Sequence, residues 1–335
     1  MTATNQSFSA MVVKEEGAQF TRAVETRHLS DLPDYQALVR VEYSSLNYKD
    51  ALSTSGNRGV TRNYPHVPGI DAAGVLCNAA GDLPKGARVA VTGYDLGMNT
   101  WGGFSEYIRV PPEWLIPLPE GMTARQAMEW GTAGLTAGLC VDKLSAWMQF
   151  SQSSLAEAQV IVTGATGGVG SIAVTLLAEL GSRVTAVTGK AEATDWLRSI
   201  GASEVISMDT LMEAGKPLQK TRWDAAVDVT GGVPLANLLA QLNPQAACAC
   251  CGLVAGSGLP TTVLPFILRG VALLGIDSVE IPLATKARIF GKLATEWRLN
   301  TLSDRCTEVR LEGLPAQIDK MLQGQHKGRT LVNLM

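Results

Sequence analysis

Two short segments of the sequence carry residue types that can bind a dinucleotide. The first, VTGATGGVGS at residues 162–171, lies between a four-residue apolar run and a helix-forming stretch. In such a loop Gly167 permits the tight turn, Gly168 lets the backbone approach a pyrophosphate, and Gly170 allows close helix–strand packing. The following helix offers free N–H groups and a partial positive charge. Ala165 replaces the usual first glycine. The pattern predicts a pyrophosphate-binding loop; the alternative is a purely structural turn.

The second segment, Thr188-Gly189-Lys190, follows the next apolar strand about twenty residues later, where the choice of cofactor is made. An acidic residue there would bind the adenosine ribose hydroxyls and repel a 2′-phosphate. A hydroxyl, a small residue and a cation instead suit a phosphate dianion. The segment therefore favours NADPH over NADH, the alternative being an ordinary exposed lysine after a strand.

Length and composition set the frame for these segments. A chain of 335 residues exceeds what one hydrophobic core usually organises, so two domains are expected. The formal charge of -3 gives no reason to expect nucleic acid or an anionic membrane as partner. No apolar run approaches the roughly 20 residues of a membrane span, and the N-terminal stretch lacks a secretory signal pattern. We expect a cytoplasmic protein.

The order of predicted elements indicates an α/β fold with a late insertion. Alternating strands and turns fill the first 120 residues, and from Ala158 onward apolar strands alternate with helices, as in a doubly wound parallel sheet. GRTLVNL, near the C-terminus, reads as a strand returning to the first domain. We assign 1–128 and 278–335 to a β-rich catalytic domain and 129–277 to a nucleotide-binding domain, with ligands expected in a cleft between them.

The six cysteines do not predict a metal site or a disulfide framework. Three of them fall in ACACC, at Cys248, Cys250 and Cys251, without a CxxC pair and without a nearby histidine. A buried strand of small residues explains this segment better than zinc ligation does.

Several longer strings give the chain a family resemblance. SSLNYKDAL, PGIDAAG, WGGFSEY, GTAGLTA, VTGATGGVGS, LPTTVLPFILRGV, LLGIDS and GRTLV resemble the acrylyl-CoA reductase subfamily of the medium-chain dehydrogenase/reductase superfamily, whose members are also labelled quinone oxidoreductases of the YhdH type. The resemblance runs almost end to end. It implies a GroES-like twisted β-barrel catalytic domain plus a Rossmann domain.

The resemblance also implies that no metal is bound. Zinc alcohol dehydrogenases of this superfamily have a cysteine at the position of Asn47 and a His–Glu pair at Ile70-Asp71. Their structural zinc lobe corresponds to residues 85–115, which contain no cysteine here. Isoleucine has no lone pair for a metal, and asparagine alone is a poor zinc ligand.

The implied reaction is the NADPH-dependent reduction of acrylyl-CoA to propionyl-CoA. Asn47 and Asp50 are the catalytic candidates: Asn47 as a donor to the substrate carbonyl, Asp50 as a residue that orients Lys49 or a water. The alternative is that both simply cap the helix that begins with KDAL. Related enoyl-thioester reductases place a tyrosine proton donor near Asn57 or Arg58, where this chain has none. Water, another residue or Tyr64 would then supply the proton.

The remaining site residues are carried over from the family as cofactor contacts. The resemblance places the pyrophosphate at the glycine loop and the adenosine phosphate at the segment after the second strand. It also implies contacts further along the chain, although apolar residues there are more often core. The full set is Tyr48, Thr166, Gly167, Gly168, Val169, Thr188, Gly189, Lys190, Leu253, Ile267, Ser278, Arg329 and Asn333.

Other readings of the chain stay open at this point. A quinone or enone reductase would use the same cofactor, and a non-catalytic NADPH-binding protein is a third possibility. Coenzyme A needs basic residues for its phosphates, for which Lys286, Arg288 and Arg298 are the candidates. Trp101 and Glu129-Trp130 are candidates for shaping the substrate pocket. Edge-to-edge pairing through LLGIDS would make a homodimer.

Overall fold

The structure is a computed structural model that describes residues 6–335. Residues 1–5 lie outside the described residues. They belong to the predicted first domain and to the N-terminal stretch that lacks a secretory signal pattern. The chain forms two compact units, Met1–Leu135 with Ser278–Met335, and Thr136–Asp277. Residues 129–135, which we assigned to the nucleotide-binding domain, lie in the first unit. The main-chain N–H and hydroxyl of Thr132 bind the carboxylate of Asp71 there.

The first unit is built on a seven-stranded sheet and a two-stranded hairpin. Its strands are β1 (Ser7–Glu16), β2 (Gln19–His28), β3 (Ala37–Ser45), β4 (Asp71–Leu76), β5 (Arg88–Thr92), β6 (Tyr107–Val110) and β7 (Ile116–Pro117), and later in the chain β14 (Cys306–Val309) and β15 (Arg329–Asn333). Strands β1 and β2 pair in the hairpin, and the sheet runs β14-β15-β3-β4-β5-β7, with β6 also paired to β3. The returning strand β15 pairs antiparallel with β3, which brings Leu331 opposite Ser45.

The second unit is a six-stranded parallel sheet. Its strands are β8 (Gln159–Val162), β9 (Arg183–Thr188), β10 (Ala202–Ser207), β11 (Trp223–Asp228), β12 (Leu242–Cys250) and β13 (Ala272–Gly275). They are ordered β10-β9-β8-β11-β12-β13, which is the 3-2-1-4-5-6 order of a dinucleotide-binding fold. Val160, Ile161 and Val162 are all fully buried, as expected for a parallel strand covered on both faces. The predicted fold class is confirmed.

Eight α-helices connect or flank the strands within the described residues. They are α1 (Tyr48–Thr54), α2 (Ala124–Phe150), α3 (Gly168–Glu179), α4 (Thr194–Ser199), α5 (Gly232–Ala240), α6 (Leu264–Arg269), α7 (Leu283–Ala294) and α8 (Leu314–Leu322). Helix α2 is interrupted at Gly131, whose φ is 51°. Across residues 6–335, no helix is long and apolar enough to cross a bilayer.

Each unit has its own hydrophobic core. In the first unit the core joins the sheet to helix α8 through residues such as Val41, Ile108 and Leu314. In the second, Ile161, Trp223 and Leu239 belong to one cluster. Cys248 of the ACACC segment is fully buried in β12, and Cys250 and Cys251 are half-buried.

Candidate active site

The glycine loop of the second unit connects β8 to α3 at the carboxyl end of the sheet. Gly164 has a φ of 56°, and Gly167 precedes the first helical residue. A Cβ on Gly170 would collide with the carbonyl oxygen of Gly164, so the first turn of α3 packs directly on the loop. Ala165, at the position of the usual first glycine, is fully buried and donates its N–H to Val187 O at 3.1 Å. The alanine is therefore accommodated inside the loop.

The loop lies at the point where the strand order reverses, between β8 and β11. Ligands of open α/β sheets bind at this position. Gly167, Gly168 and Val169 are half-buried there, and Thr166 is buried. The main-chain N–H groups at the start of a helix suit an anionic group.

Asp228, the last residue of β11, forms hydrogen bonds with the segments that follow β8 and β11. Its carboxylate accepts hydrogen bonds from the Thr163 hydroxyl at 2.6 Å, the Thr230 hydroxyl at 2.7 Å and the Gly231 N–H at 2.7 Å. This residue was not among those predicted from the sequence. The signal was available, because WDAAVD places a carboxylate directly at the end of a buried strand beside the predicted loop.

The segment Thr188-Gly189-Lys190 follows the carboxyl end of β9. The Thr188 hydroxyl oxygen accepts the Lys190 N–H at 3.0 Å, which holds the segment in a tight turn. Gly189 is open, since a Cβ added to it would meet no atom within 4 Å. A hydroxyl, an open glycine and a lysine thus stand together one strand away from the glycine loop.

In the first unit, Asn47 and Asp50 cap the beginning of α1. The Asn47 N–H donates to Asp50 Oδ2 at 2.8 Å, and Asp50 Oδ1 accepts the Ile70 N–H at 2.8 Å. The Asn47 side-chain amide donates to Asp71 Oδ2 at 2.7 Å and to Ser45 O at 3.2 Å. The capping arrangement is therefore present, and among residues 6–335 no hydrogen bond or ion pair joins either side chain to Lys49. The catalytic roles of the two residues stay predictions.

The side chain of Asp50 is fully buried, and burial makes the ionised form of its carboxyl group unfavourable. Burial, followed by repulsion from Asp71, raises the pKa of Asp50 to about 7, although the N–H groups of Asn47 and Ile70 favour its charged form. A carboxyl group with such a pKa takes up or loses a proton near neutrality.

The buried carboxylate of Asp71 is bound by donors from three segments. Ser45 donates its hydroxyl to Oδ2 at 2.6 Å, and Thr132 donates both its N–H and its hydroxyl. The approach of Thr132 depends on Gly131, because a Cβ there would lie 2.6 Å from Asp71 Oδ2 and 2.8 Å from Arg329 Nη2. The break in α2 therefore exposes the N–H of Thr132 to the carboxylate.

Arg329 supplies the positive charge of this group. It is 2% exposed, and its guanidinium donates to Ser45 Oγ at 2.7 Å, Asn47 Oδ1 at 3.3 Å and main-chain carbonyls that include Glu129 O at 3.2 Å. Burial lowers the pKa of Arg329 and the Asp71 carboxylate opposes this shift. We call Ser45, Asn47, Asp71, Thr132 and Arg329 the Asp71 cluster.

Two predicted cofactor contacts, Arg329 and Asn333, stand at opposite ends of β15. Four residues of extended strand separate them by about 13 Å. Asn333 donates to Glu308 Oε1 at 2.9 Å and to the Tyr43 hydroxyl at 3.2 Å, away from the Asp71 cluster. The structure does not bring these two residues together.

The other predicted contacts differ in accessibility. Tyr48, Leu253 and Ile267 are exposed to solvent, with 48%, 65% and 69% of their surface accessible, whereas Ser278 is buried. Tyr64 donates its hydroxyl to Ser53 O at 2.5 Å, and burial raises its pKa.

Lys286 cannot bind the phosphates of coenzyme A, which corrects one candidate of the sequence analysis. It is fully buried, its ammonium donates to Thr92 O at 2.7 Å and Val279 O at 2.8 Å, and it lies 3.2 Å from the centre of the Tyr94 ring. The side chains of Arg288 and Arg298 are exposed.

The residues singled out for shaping the pocket are partly or fully buried. Trp101 is half-buried beneath the guanidinium of Arg27, 5.7 Å from the ring centre. Glu129 and Trp130 are buried and line a cavity of about 130 Å³, and Glu129 pairs with Arg125.

The positions assigned to zinc ligands in related dehydrogenases carry no metal-ligating set. Asn47 and Asp71 bind each other, and Ile70 contributes only its main-chain N–H to Asp50. Among residues 6–335, no group of three or more His, Cys, Asp or Glu side chains is placed to hold a metal ion.

Comparison with known families matches each part of the chain to a dehydrogenase domain. The alcohol dehydrogenase GroES-like domain matches residues 33–120, and the zinc-binding dehydrogenase family matches residues 168–288. Acrylyl-CoA reductase AcuI of Ruegeria pomeroyi is 43% identical over 333 residues, which cover 98% of this chain and 99% of that protein. The putative quinone oxidoreductase YhfP of Bacillus subtilis is 41% identical over 334 residues, 98% of this chain and 99% of that one.

Solved structures of the same group share the fold throughout. The YhdH oxidoreductase of Salmonella enterica, in complex with NADP, has a TM-score of 0.92 and 40% identity, covering 98% of this chain and all of that chain. Bacillus subtilis YhfP with NAD bound has a TM-score of 0.93 and 40% identity, with the same coverage.

Proposed function

Because the chain belongs to the family of acrylyl-CoA reductase AcuI and the YhdH and YhfP oxidoreductases, within the medium-chain dehydrogenase/reductase superfamily, we propose that it reduces acrylyl-CoA to propionyl-CoA with NADPH. The observation that carries this proposal is the end-to-end similarity to AcuI, at 43% identity over 98% of the chain. The same similarity makes the protein an oxidoreductase.

The residues of the second unit fit NADPH as the cofactor. The loop Thr166–Val169 would hold the pyrophosphate with its main chain, because it leads into the first turn of α3, whose N–H groups favour an anion. Thr188, Gly189 and Lys190 would hold the 2′-phosphate. The related YhdH structure with NADP supports this choice, whereas the YhfP structure holds NAD.

When bound, NADPH supplies a hydride for the β-carbon of the substrate, and the chain must stabilise the negative charge that develops on the thioester oxygen. Asn47 is the proposed donor. Its amide hydrogens bind Asp71 Oδ2 at 2.7 Å and Ser45 O at 3.2 Å, so donation to a substrate replaces the longer bond. Asp50 would keep Asn47 in place through the Asn47 N–H.

The proton for the α-carbon comes from water or from Tyr64 in this proposal. The Tyr64 hydroxyl proton is engaged with Ser53 O. Tyr64 must therefore release that carbonyl to act as an acid, whereas a water needs no rearrangement.

A quinone reductase is the second candidate function, favoured by the 41% identity to the putative quinone oxidoreductase YhfP. The test follows NADPH absorbance with acrylyl-CoA, with a simple quinone and with no acceptor. We expect oxidation with the thioester and formation of propionyl-CoA. Oxidation with the quinone alone supports the second candidate, and no oxidation with either acceptor leaves a non-catalytic NADPH-binding protein.

The catalytic assignment of Asn47 has its own test. Asn47→Ala is expected to lower kcat with acrylyl-CoA by at least about tenfold, because a donor to the developing oxyanion is lost. Thermal unfolding of the same variant separates this effect from the loss of its bonds to Asp71 and Ser45. A variant with unchanged kcat and a lowered Tm shows that Asn47 is only a cap.

The cytoplasmic location of the protein stays a prediction. We also propose that the protein is a homodimer. Strand β13 is the edge of the six-stranded sheet, and exposed apolar side chains near it would be covered by a second copy. They are Val254, Val263 and Leu268. Light scattering that gives a monomer mass would refute the dimer.

A further inference from the structure

The segment between α1 and β4 is basic. Residues 51–70 contain Arg58 and Arg62 and no aspartate or glutamate. Lys49, one residue before Asp50, adds a cation in the first turn of α1. Because Lys286 is buried, it cannot bind the phosphates of a coenzyme A substrate. The basic segment between α1 and β4 offers other cations for these phosphates.

The loop of residues 55–64, which we call the Arg62 loop, is held in one conformation by its own hydrogen bonds. Arg58 Nη1 donates to Arg62 O at 2.7 Å, and the Arg62 N–H donates to Asn99 Oδ1 at 3.2 Å. The hydroxyls of Ser53 and Thr61 are 2.6 Å apart. Together with the bond from Tyr64 to Ser53 O, these contacts attach the loop to α1. A loop already ordered loses less entropy on binding a ligand.

One arginine and two aromatic rings, inclined at 60° to each other, form a cluster on one side of this loop. The rings of Phe20 and Tyr64 are 4.8 Å apart, and the Arg58 guanidinium lies 5.8 Å and 5.3 Å from their centres. Gly56 makes the packing feasible, since a Cβ there would collide with the Phe20 ring. Glu15 neutralises Arg58 through a contact of 2.5 Å. Planar guanidinium and aromatic groups of this kind stack on nucleobases.

Arg62 carries a charge that the protein does not compensate. Its side chain is exposed, and among residues 6–335 its guanidinium has no hydrogen-bond or carboxylate partner. Arg40 and Arg125, two other arginines of the first unit, are instead paired with Glu42 and Glu308. An unpaired guanidinium on the same loop as this aromatic cluster is a suitable ligand for a phosphate.

The Arg62 loop stands at the opposite end of α1 from the proposed catalytic residues. The helix has seven residues, so about 10 Å separates its Asn47 end from its loop end. The extended pantetheine arm of coenzyme A is long enough to follow such a helix, with its thioester at one end and its nucleotide at the other.

We infer that the Arg62 loop binds the phosphorylated adenosine of coenzyme A, with Arg62 on a phosphate and the cluster of Arg58, Phe20 and Tyr64 against the adenine. This inference rests on the proposed thioester reductase function, and it leaves water as the source of the α-carbon proton, because Tyr64 then contacts the adenosine. It assigns the nucleotide of the substrate to the first unit, separate from the NADPH phosphate at Lys190.

The first experiment compares acrylyl-CoA with acrylyl-pantetheine, which lacks the phosphorylated adenosine. Arg62→Ala is expected to raise KM for acrylyl-CoA about tenfold and to leave KM for acrylyl-pantetheine and kcat for both unchanged. Arg62→Lys should recover part of the loss. Arg40→Ala, which removes an exposed but paired arginine, is the matched control and should change neither KM.

Equal changes for both thioesters, or no change for either, overturn the inference while the proposed function stands. If neither thioester oxidises NADPH, the proposed function fails, and calorimetric titration of the NADPH-saturated protein with coenzyme A decides the inference separately. Binding by the natural chain that is about tenfold weaker in Arg62→Ala supports it. Absence of binding, or equal binding, overturns it.

Discussion

The two candidate binding regions of the molecule are built in opposite ways. The glycine loop of the second unit offers main-chain groups, and its glycines matter because side chains would fill the space, as at Gly170. The Asp71 cluster of the first unit is built from buried and half-buried polar side chains on separate segments, with Arg329 and Asp71 joined through Ser45 and Asn47. One region depends on the absence of side chains and the other on their complete pairing.

The difference determines how each region responds to substitution. A main-chain site tolerates changes that leave space and conformation intact, since its donors belong to every residue type. A buried charged cluster does not, because removal of one partner leaves another charge or polar group without compensation. Substitutions that separate these two behaviours test the comparison directly.

The largest effect is expected from Asp71→Ala. The carboxylate binds Ser45, Asn47 and Thr132, and it offsets the buried charge of Arg329. Its loss should lower the free energy of unfolding by about 3–5 kcal/mol, measured by urea denaturation. The control is Ser44→Ala, which removes a buried hydroxyl bonded only to the main-chain oxygen of Asp71 and should cost about 1 kcal/mol. Equal losses in the two variants would show that the charge of the cluster is unimportant.

Gly170→Ala and Gly167→Ala form the matched pair for the glycine loop. A Cβ at Gly170 collides with Gly164 O, so this variant should lose about 1–3 kcal/mol of stability. A Cβ at Gly167 lies 3.4 Å from the same oxygen, an ordinary contact, so that variant should keep its Tm and bind NADPH about tenfold more weakly. Calorimetry and thermal unfolding measure the two quantities. A Gly167→Ala variant with unchanged NADPH affinity would contradict the placement of the pyrophosphate.

Lys190→Ala tests the proposed contact between the lysine ammonium and the 2′-phosphate of NADPH. Loss of the cation should weaken NADPH about tenfold and leave NADH unchanged, because only NADPH carries the 2′-phosphate. Titration of the variant with each nucleotide gives both dissociation constants. Parallel weakening of the two would place Lys190 elsewhere on the cofactor or in the fold.

The glycine loop was predictable from the sequence, whereas the Asp71 cluster was not. The glycine loop, its flanking strand β8 and helix α3 are adjacent in the chain, and local spacing and apolar periodicity indicate them. The Asp71 cluster joins residues far apart in the sequence, such as Ser45, Thr132 and Arg329, through strand pairing and the break at Gly131. No local pattern reports such contacts. For the same reason the burial of Lys286 was not foreseen, since a lysine on an amphipathic helix normally faces solvent.

The smallest expected effect concerns the pH dependence that Asp50 gives to the first unit. Burial raises its pKa in the folded protein to about 7, from 3.8 for an ordinary aspartate. Between these values the folded state retains a proton that the unfolded state has lost, so its contribution to stability is full at low pH and is lost as the pH rises through 7.

Asp50→Asn resembles the protonated form and does not titrate. The Tm of the natural chain minus that of Asp50→Asn should therefore fall by about 2–4 °C between pH 6 and pH 8, in line with about 1 kcal/mol for a protein of this class. Asp82→Asn, which removes an exposed carboxyl group of the same unit, is the control and should give a constant difference. A constant difference for Asp50→Asn as well would show that the carboxyl group is ionised throughout this range, with the N–H groups of Asn47 and Ile70 compensating its burial.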